Sequence, residues 1–137
     1  MLKKILVSLI VSGVCSTSFS APNQAVSAHT IMHQGFAHVN AYIRYNAGHE
    51  IFLTNPTDHV ITYNFEYRLC INSPSGQDCD IATGSKTLNP GEQYSEGHAT
   101  HLDIKFVRSG FFVIWGTTTI NGEFSAVDKE EAQIYVQ

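Results

Sequence analysis

Residues 60–71 alternate in character from one position to the next, and this alternation constrains the fold more than any other feature of the sequence. Every second position carries a large apolar side chain: Ile61, Tyr63, Phe65, Tyr67, Leu69 and Ile71. The positions between them are mostly polar. Because successive side chains of a β-strand point to opposite faces, the pattern predicts a strand with one face buried and the other in water.

The same reasoning predicts most of the remaining chain to be strands. Alternation or apolar character predicts strands at residues 37–46, 49–55, 101–106, 111–120, 123–127 and 132–136. Turns are predicted at residues 55–58, 88–93 and 109–110 from their Pro, Gly, Asn, Asp and Ser content. Asn121-Gly122 predicts a type I′ hairpin turn, and residues 128–131 are predicted to form a brief helical turn.

About seven or eight short strands separated by regular turns predict an all-β fold, either an antiparallel two-sheet β-sandwich or a small barrel, and we expect the sandwich. Residues 88–116, LNPGEQYSEGHATHLDIKFVRSGFFVIWG, resemble the region of bacterial immunoglobulin-like domains in which a Leu-x-Pro-Gly turn precedes a Gly-aromatic corner. Phe112 stands at the place of the family's corner tyrosine, and Ile114 stands at the place of its second core cysteine. The resemblance implies an immunoglobulin-like β-sandwich.

The N-terminus has the layout of a secretory signal peptide. Lys3 and Lys4 precede an apolar run at residues 5–15, which is too short to span a bilayer, and small polar residues follow. The spacing of small residues predicts cleavage after Ser20, with Ala28 as the alternative. We therefore expect a signal peptide at 1–20, a flexible tail at 21–28 and a single β-sandwich domain at 29–137.

Two cysteines lie beyond the signal region, at Cys70 and Cys79. An even cysteine count in an exported chain predicts a disulfide, whereas zinc and thioredoxin-like sites need the closer Cys-x-x-Cys spacing, which is absent. The disulfide would stiffen a loop at residues 72–80. The only glycosylation sequon, at Asn55, is blocked by Pro56, which fits a bacterial protein in the periplasm or secreted from the cell.

Seven histidines raise the alternative of a periplasmic copper- or zinc-binding protein. The candidate ligands are His29, His33, His98, His101 and Asp103. On a strand His98 and His101 point to opposite faces, whereas His101 and Asp103 share one. Cleavage after Ala28 would make His29 the N-terminal residue, an arrangement that resembles copper-dependent polysaccharide monooxygenases and CopC-like carriers.

The remaining composition favours a non-catalytic binding module with no cofactor. The chain shows no catalytic motif, and its net charge of −4 with scattered basic residues argues against nucleic-acid binding. We expect recognition of a protein or glycan through end loops at 55–59, 72–80 and 89–97, or through an exposed strand edge. The candidate contact residues are Tyr42, Ser75, Gln77, Asp78 and Tyr94.

Overall fold

The structure is a computed structural model that describes residues 25–37, 42–73, 76–105 and 110–136. Every element in these ranges is a β-strand, so the predicted all-β fold is confirmed. The strands are β1 (Val26–Ala37), β2 (Tyr42–Thr54), β3 (Ile61–Ser73), β4 (Gly76–Leu88), β5 (Gln93–Lys105), β6 (Gly110–Asn121) and β7 (Ala126–Val136). In the described residues there is no helix that could span a membrane.

The seven strands form two antiparallel sheets, as expected for a β-sandwich. One sheet has three strands in the order β1-β2-β5, and the other has four in the order β4-β3-β6-β7. All strand pairs are antiparallel. The first sheet therefore ends in β1 and β5, and the second ends in β4 and β7.

β3 confirms the alternation that the sequence shows at residues 60–71. Its six predicted inward side chains are at most 6% exposed and form part of the core between the sheets. β6, predicted to be central, lies between β3 and β7, and its alternate residues Phe112, Ile114 and Ile120 are buried. The predicted turn at 88–93 is also present and places Gly91 at a φ of 82°, which glycine adopts without strain.

Several predicted boundaries were wrong because strands here continue through residues that usually interrupt them. Residues 42–46 and 49–54 form one strand, β2, which runs straight through Ala47 and Gly48. The predicted helical turn at 128–131 lies within β7, where strand pairing with β6 overrides the helical tendency of four charged residues. Residues 93–97 of the predicted 89–97 loop belong to β5.

The predicted flexible tail at 21–28 is also wrong where the structure describes it. β1 begins at Val26, and the side chains of Ala25 and Val26 are buried in the core. Val26 and Ala28 lie opposite Leu53 and Ile51, so apolar packing orders this segment. Cleavage after Ala28 would remove the first three residues of β1.

The connection between β6 and β7 does form a hairpin, but not the predicted type I′ turn. The closing pair is Ile120–Ala126, so five residues connect the strands instead of two. A type I′ turn requires positive φ at both central positions, and Gly122 does not have it. Gly122 is needed for space, because a Cβ there would lie 2.8 Å from the ring of Tyr63.

The predicted loop at 72–80 is instead the tip of the β3–β4 hairpin. Residues 72–73 end β3 and residues 76–80 begin β4, a strand that the sequence analysis missed. The predicted Cys70–Cys79 disulfide is present, and its two cysteines are directly opposite each other in the ladder. The disulfide therefore links two paired strands.

Candidate functional site

β4 forms one edge of the four-stranded sheet and pairs with β3 from Ser73–Gly76 to Ile61–Leu88 without a bulge. The Cα atoms of the opposed Cys70 and Cys79 are 4.1 Å apart. In antiparallel ladders, the shorter Cα separation, about 4.5 Å, belongs to pairs that exchange no hydrogen bonds. Cys79 therefore directs its N–H and C=O away from β3, and alternation extends this direction to the odd-numbered residues as far as Thr87.

These outward backbone groups are available for hydrogen bonding. Within the described part of the chain, no residue bonds the N–H or C=O groups of Cys79, Ile81, Thr83, Ser85 or Thr87. We call this row of groups the β4 edge. An edge strand with unpaired backbone groups is a template on which another strand can form a ladder.

The side chains in the middle of β4 leave the β4 edge accessible. Residues 81–85 read Ile-Ala-Thr-Gly-Ser and carry no charge. Ile81 is 46% exposed, and Thr83 and Ser85 are exposed on the same outer face. On the inner face Gly84 allows the Phe65 ring to pack against its backbone, since an added Cβ would overlap that ring. No bulky or charged side chain obstructs an approaching strand here.

Two aspartates connect the sheets along the open sides of the sandwich. On one side the Thr30 N–H of β1 donates to Asp128 Oδ2 of β7 at 2.7 Å. On the other side the His101 N–H of β5 donates to Asp80 Oδ2 of β4 at 2.9 Å. β1 and β5 thus each have an edge amide satisfied by a side chain from the opposite sheet. β1 also contains an irregular register between Gln34 and Ala37, a feature that disrupts further pairing.

β7, the other edge of the four-stranded sheet, carries the charged run Asp128, Lys129, Glu130 and Glu131. Lys129 and Glu131 are exposed on its outer face, and Glu130 is buried on its inner face. Burial, followed by the charge of Glu130, raises the pKa of Tyr45 above its usual value. Charged and inward-pointing acidic residues are common devices by which proteins prevent edge pairing.

A layer of polar side chains crosses the core and separates its two apolar clusters. We call it the polar band: Thr30, His49, Thr100 and Thr118, each at most 1% exposed. His49 Nδ1 lies 2.8 Å from Thr118 Oγ1, and its Nε2 lies 2.8 Å from Thr100 Oγ1. The Thr30 and Thr118 hydroxyls are 2.6 Å apart. Both ring nitrogens of a buried imidazole are thus satisfied.

His49 is held in its neutral form at neutral pH. Burial, assisted by the nearby His98 and opposed by Asp80, lowers its pKa to about 4. The polar band continues to β7, because Thr30 Oγ1 also donates to the Asp128 carbonyl at 3.3 Å. The band thereby connects β5, β2, β6, β1 and β7 in one hydrogen-bonded layer.

A second cluster lies where β3 meets β5. The Tyr67 hydroxyl donates to Glu96 Oε2 at 2.7 Å, and the Tyr94 hydroxyl donates to Glu96 Oε1 at 2.6 Å. Burial and the hydrogen bond to Glu96 raise the pKa of Tyr67. His98 stacks on the Tyr67 ring with 5.0 Å between ring centroids. The tyrosines and the glutamate satisfy one another, so this cluster has the character of a structural contact.

The outer face of the three-stranded sheet contains a shallow depression of about 410 Å³. Phe52, 42% exposed, lies between Ser27 and Ser95 in one cross-strand row, and Glu50 lies between His29 and Gly97 in the next. An exposed aromatic ring is therefore surrounded by hydrogen-bonding side chains.

The candidate metal ligands do not converge. His29 lies 3.8 Å from Asp128, His98 stacks on Tyr67, and Asp103 forms an ion pair with Arg44 at 2.8 Å. His33 and His101 lie on either side of Asn46 in one cross-strand row. Among the described residues, no three His, Cys, Asp or Glu side chains form a group that could hold a metal ion.

The predicted binding residues are distributed over both sheets. Gln77 and Asp78 are exposed at the start of β4, whereas Tyr94 is half-buried on β5, where Lys86 Nζ lies 4.7 Å from its ring centroid. Tyr42 pairs with Lys105 in the backbone of β2. Ser75 lies outside the described residues. Among the candidates that the structure describes, Gln77 and Asp78 therefore adjoin the β4 edge.

Two features of the structure were not predicted from the sequence. His49 lies in the same alternating set as the buried Tyr45, Ala47, Ile51 and Leu53, so treating residues 42–54 as one strand would have predicted it to point inward. The second feature is β4. Its outer face carries Ile81, Thr83, Ser85 and Thr87, which suit an exposed strand, but its inner face has no run of large apolar residues that would have predicted one.

No protein-family model and no curated protein matches the chain. A structural-genomics target protein is 15% identical, with a TM-score of 0.40, over 85% of this chain and 90% of its own. A protein from Archaeoglobus fulgidus is 13% identical, with a TM-score of 0.40, over 81% and 98%. β-Glucuronidase from Bacteroides uniformis is 12% identical, with a TM-score of 0.43, over 77% of this chain and 13% of the enzyme. These likenesses extend to a generic β fold.

Proposed function

We propose that this is an exported, non-catalytic binding module that recognises an extended segment of a partner protein by adding it as a strand to the β4 edge. Main-chain hydrogen bonds supply the affinity in this mode of recognition, and pockets for alternate side chains supply the specificity. The observation that carries the proposal is the row of outward backbone groups from Cys79 to Thr87, which no described residue bonds.

Two further features support the proposal. The disulfide joins the start of β4 to β3, so the edge is preorganised and loses little conformational entropy on binding. The strand order of the two sheets is compatible with an immunoglobulin-like arrangement, which is part of the proposal, as are the signal peptide and export. In such sandwiches an exposed edge strand is a natural place for a partner.

The test uses extended peptides selected from a displayed library against the immobilised protein. We expect the selected peptides to shift the NMR amide signals of residues 79–87 and to lose binding when Thr83 is replaced by proline. Thr83→Pro removes an outward N–H but no bond to β3. Val127→Pro, at a position 67% exposed on β7, is the matched edge control. Peptides that bind the Thr83→Pro protein as tightly as the parent would refute strand addition at β4.

A glycan is the second candidate partner, at a different surface. Phe52 offers an exposed apolar ring to the C–H face of a sugar, and Ser27, Glu50 and Ser95 surround it with hydrogen-bonding groups. We expect Phe52→Ala to abolish binding to any oligosaccharide identified on a glycan array, while Val127→Ala, an exposed apolar truncation on the other sheet, leaves it unchanged. Equal loss in both variants would contradict a site at Phe52.

The periplasmic copper or zinc protein remains an alternative prediction, without a cluster of ligands among the described residues to support it. Elemental analysis of the purified protein tests it directly. A stoichiometric metal signal that disappears in a His33→Ala or His101→Ala variant would favour this alternative over strand addition.

A further inference from the structure

We infer that a second copy of this chain is a partner of the β4 edge, and that the two copies pair antiparallel about a two-fold axis at Ala82. The inference rests on the proposed function, since it names the partner for the same edge. Such pairing would join two four-stranded sheets into one continuous eight-stranded sheet, with β4 of each copy at its centre.

Hydrogen-bond parity restricts the possible registers. Only the odd-numbered residues of β4 direct their backbone groups outward, so a ladder between two β4 strands must place odd residues opposite odd residues. A two-fold axis passing through a residue meets this condition. An axis passing midway between two residues would place odd opposite even, and each outward group would face one that is already bonded to β3.

Overlap favours Ala82 among the permitted axes. β4 runs from Gly76 to Leu88, and Ala82 is its middle residue. With the axis at Ala82 every residue of the strand lies opposite a residue of the second copy. Any other axis leaves one end of each strand unpaired and loses two or more hydrogen bonds.

Charge favours the same axis. With the axis at Ala82, Asp78 of each copy lies opposite Lys86 of the other, in a pair with a Cα separation of about 4.5 Å. Within the described chain the side chain of Asp78 forms no hydrogen bond or ion pair. An axis at residue 80 would instead oppose Asp80 to itself. An axis at Thr83 would pair Lys86 with Asp80, which already accepts the His101 N–H.

Packing is compatible with this register. On the outer face Ile81 of each copy lies opposite Thr83 of the other, so the 46% exposed isoleucine gains a β-branched neighbour. On the inner face the two Ala82 side chains meet at the axis, and Gly84 lies opposite Asp80. Small residues at these positions let the two backbones approach to the spacing of a ladder.

Charge reversal tests both the dimer and its register. By sedimentation equilibrium we expect the purified protein to form dimers, and we expect Asp78→Lys and Lys86→Asp each to weaken the dimer about tenfold by opposing like charges. An equimolar mixture of the two variants should recover parental affinity, because each unlike pair is restored in the heterodimer. Thermal unfolding of each variant checks that the monomer remains folded, since Lys86→Asp also removes the contact with Tyr94.

Cross-linking provides an independent measurement of the register. Ala82→Cys should form an intermolecular disulfide on mild oxidation, because the two copies of residue 82 face each other at a distance suited to a disulfide. Thr87→Cys is the matched control. Residue 87 of one copy lies opposite Gln77 of the other, so the two introduced cysteines do not face each other. Cross-linking of Thr83→Cys in preference to Ala82→Cys would overturn the register.

The outcomes separate the inference from the proposed function. A protein that stays monomeric at millimolar concentration while selected peptides still bind the β4 edge overturns the second copy as partner and leaves strand addition intact. A dimer that is unchanged by Thr83→Pro and by both charge reversals places the contact elsewhere and overturns the inference. Failure of both dimerisation and peptide binding refutes both proposals.

Discussion

The two edge strands of the four-stranded sheet, β4 and β7, differ in the charge of their middle residues. At the middle of β7 four successive residues, Asp128 to Glu131, are charged, and Glu130 points into the core. At the middle of β4 five successive residues, Ile81 to Ser85, are uncharged. Both strands flank the same central pair, β3 and β6, so the difference does not arise from position in the sheet.

The two edges also differ in how firmly they are attached to the opposite sheet. Asp128 of β7 accepts the N–H of the buried Thr30, which belongs to the polar band around His49. Asp80 of β4 accepts the N–H of the exposed His101. Proteins usually protect an edge of this length because unpaired backbone groups invite association. The contrast indicates that β7 is closed to pairing and that β4 is available for it.

The largest expected effect concerns the hydrogen-bond direction along β4. Ala82→Pro removes an N–H that bonds β3 and should lower the free energy of unfolding by about 2–4 kcal/mol, since it leaves a β3 carbonyl unpaired. Thr83→Pro, one residue away, removes only an outward N–H and should cost about 1 kcal/mol or less. Urea unfolding measures both. Equal destabilisation by the two prolines would show that the assigned direction is wrong.

Acidification should destabilise the polar band, which is hydrogen-bonded to β7. The pKa of His49 is about 4 in the folded protein and near 6.5 when unfolded, so the unfolded chain takes up a proton first. The contribution of His49 therefore favours the folded protein most above pH 6.5, and it falls by about 3 kcal/mol as the pH decreases to 4.

The control for this prediction is His49→Gln, which retains a hydrogen-bonding side chain that does not titrate. Its free energy of unfolding should vary much less between pH 6.5 and 4 than that of the parent. If both proteins lose the same stability across that interval, protonation of His49 does not account for the acid sensitivity.

The two aspartates that connect the sheets should differ in their contributions. Asp128→Ala leaves the buried Thr30 N–H without its acceptor and should cost about 1–3 kcal/mol. Asp80→Ala exposes the His101 N–H to water and should cost about 0.5 kcal/mol or less. Chemical unfolding of the matched pair provides the comparison. A larger loss of stability for Asp80→Ala would show that β4 is attached to the opposite sheet more firmly than β7, contrary to this account.

The smallest effect on stability is expected at the centre of the β4 edge. Ile81→Lys places a charge on an exposed outer position and should change the free energy of unfolding by about 0.5 kcal/mol or less. It should nevertheless weaken peptide binding at least about tenfold, because it gives β4 the kind of protection that β7 already has. Val127→Lys, on the outer face of β7, should leave peptide binding unchanged.

The sequence was sufficient to predict the two central strands of the four-stranded sheet. β3 and β6 have large apolar residues at alternate positions, and their burial follows directly from strand geometry. The disulfide could also be predicted, because Cys70 and Cys79 are the only cysteines after residue 15.

The edges were harder to predict because edge strands bury little. β4 has small or polar residues on both faces, such as Ala82 and Gly84, so its sequence is typical of a loop. The charged run of β7 has the composition of a helical turn. His49 points inward because β2 continues through Gly48. That continuity comes from pairing with β1 and β5, which are distant in sequence.

Hydrogen–deuterium exchange of individual β4 amides tests the central claim most directly. At low micromolar concentration the amides of Cys79, Ile81, Thr83, Ser85 and Thr87 should exchange at nearly the unprotected rate, while those of the even-numbered residues between them remain protected by β3. A saturating partner strand should then protect the odd-numbered set. Equal protection of both sets in the dilute protein would contradict the account.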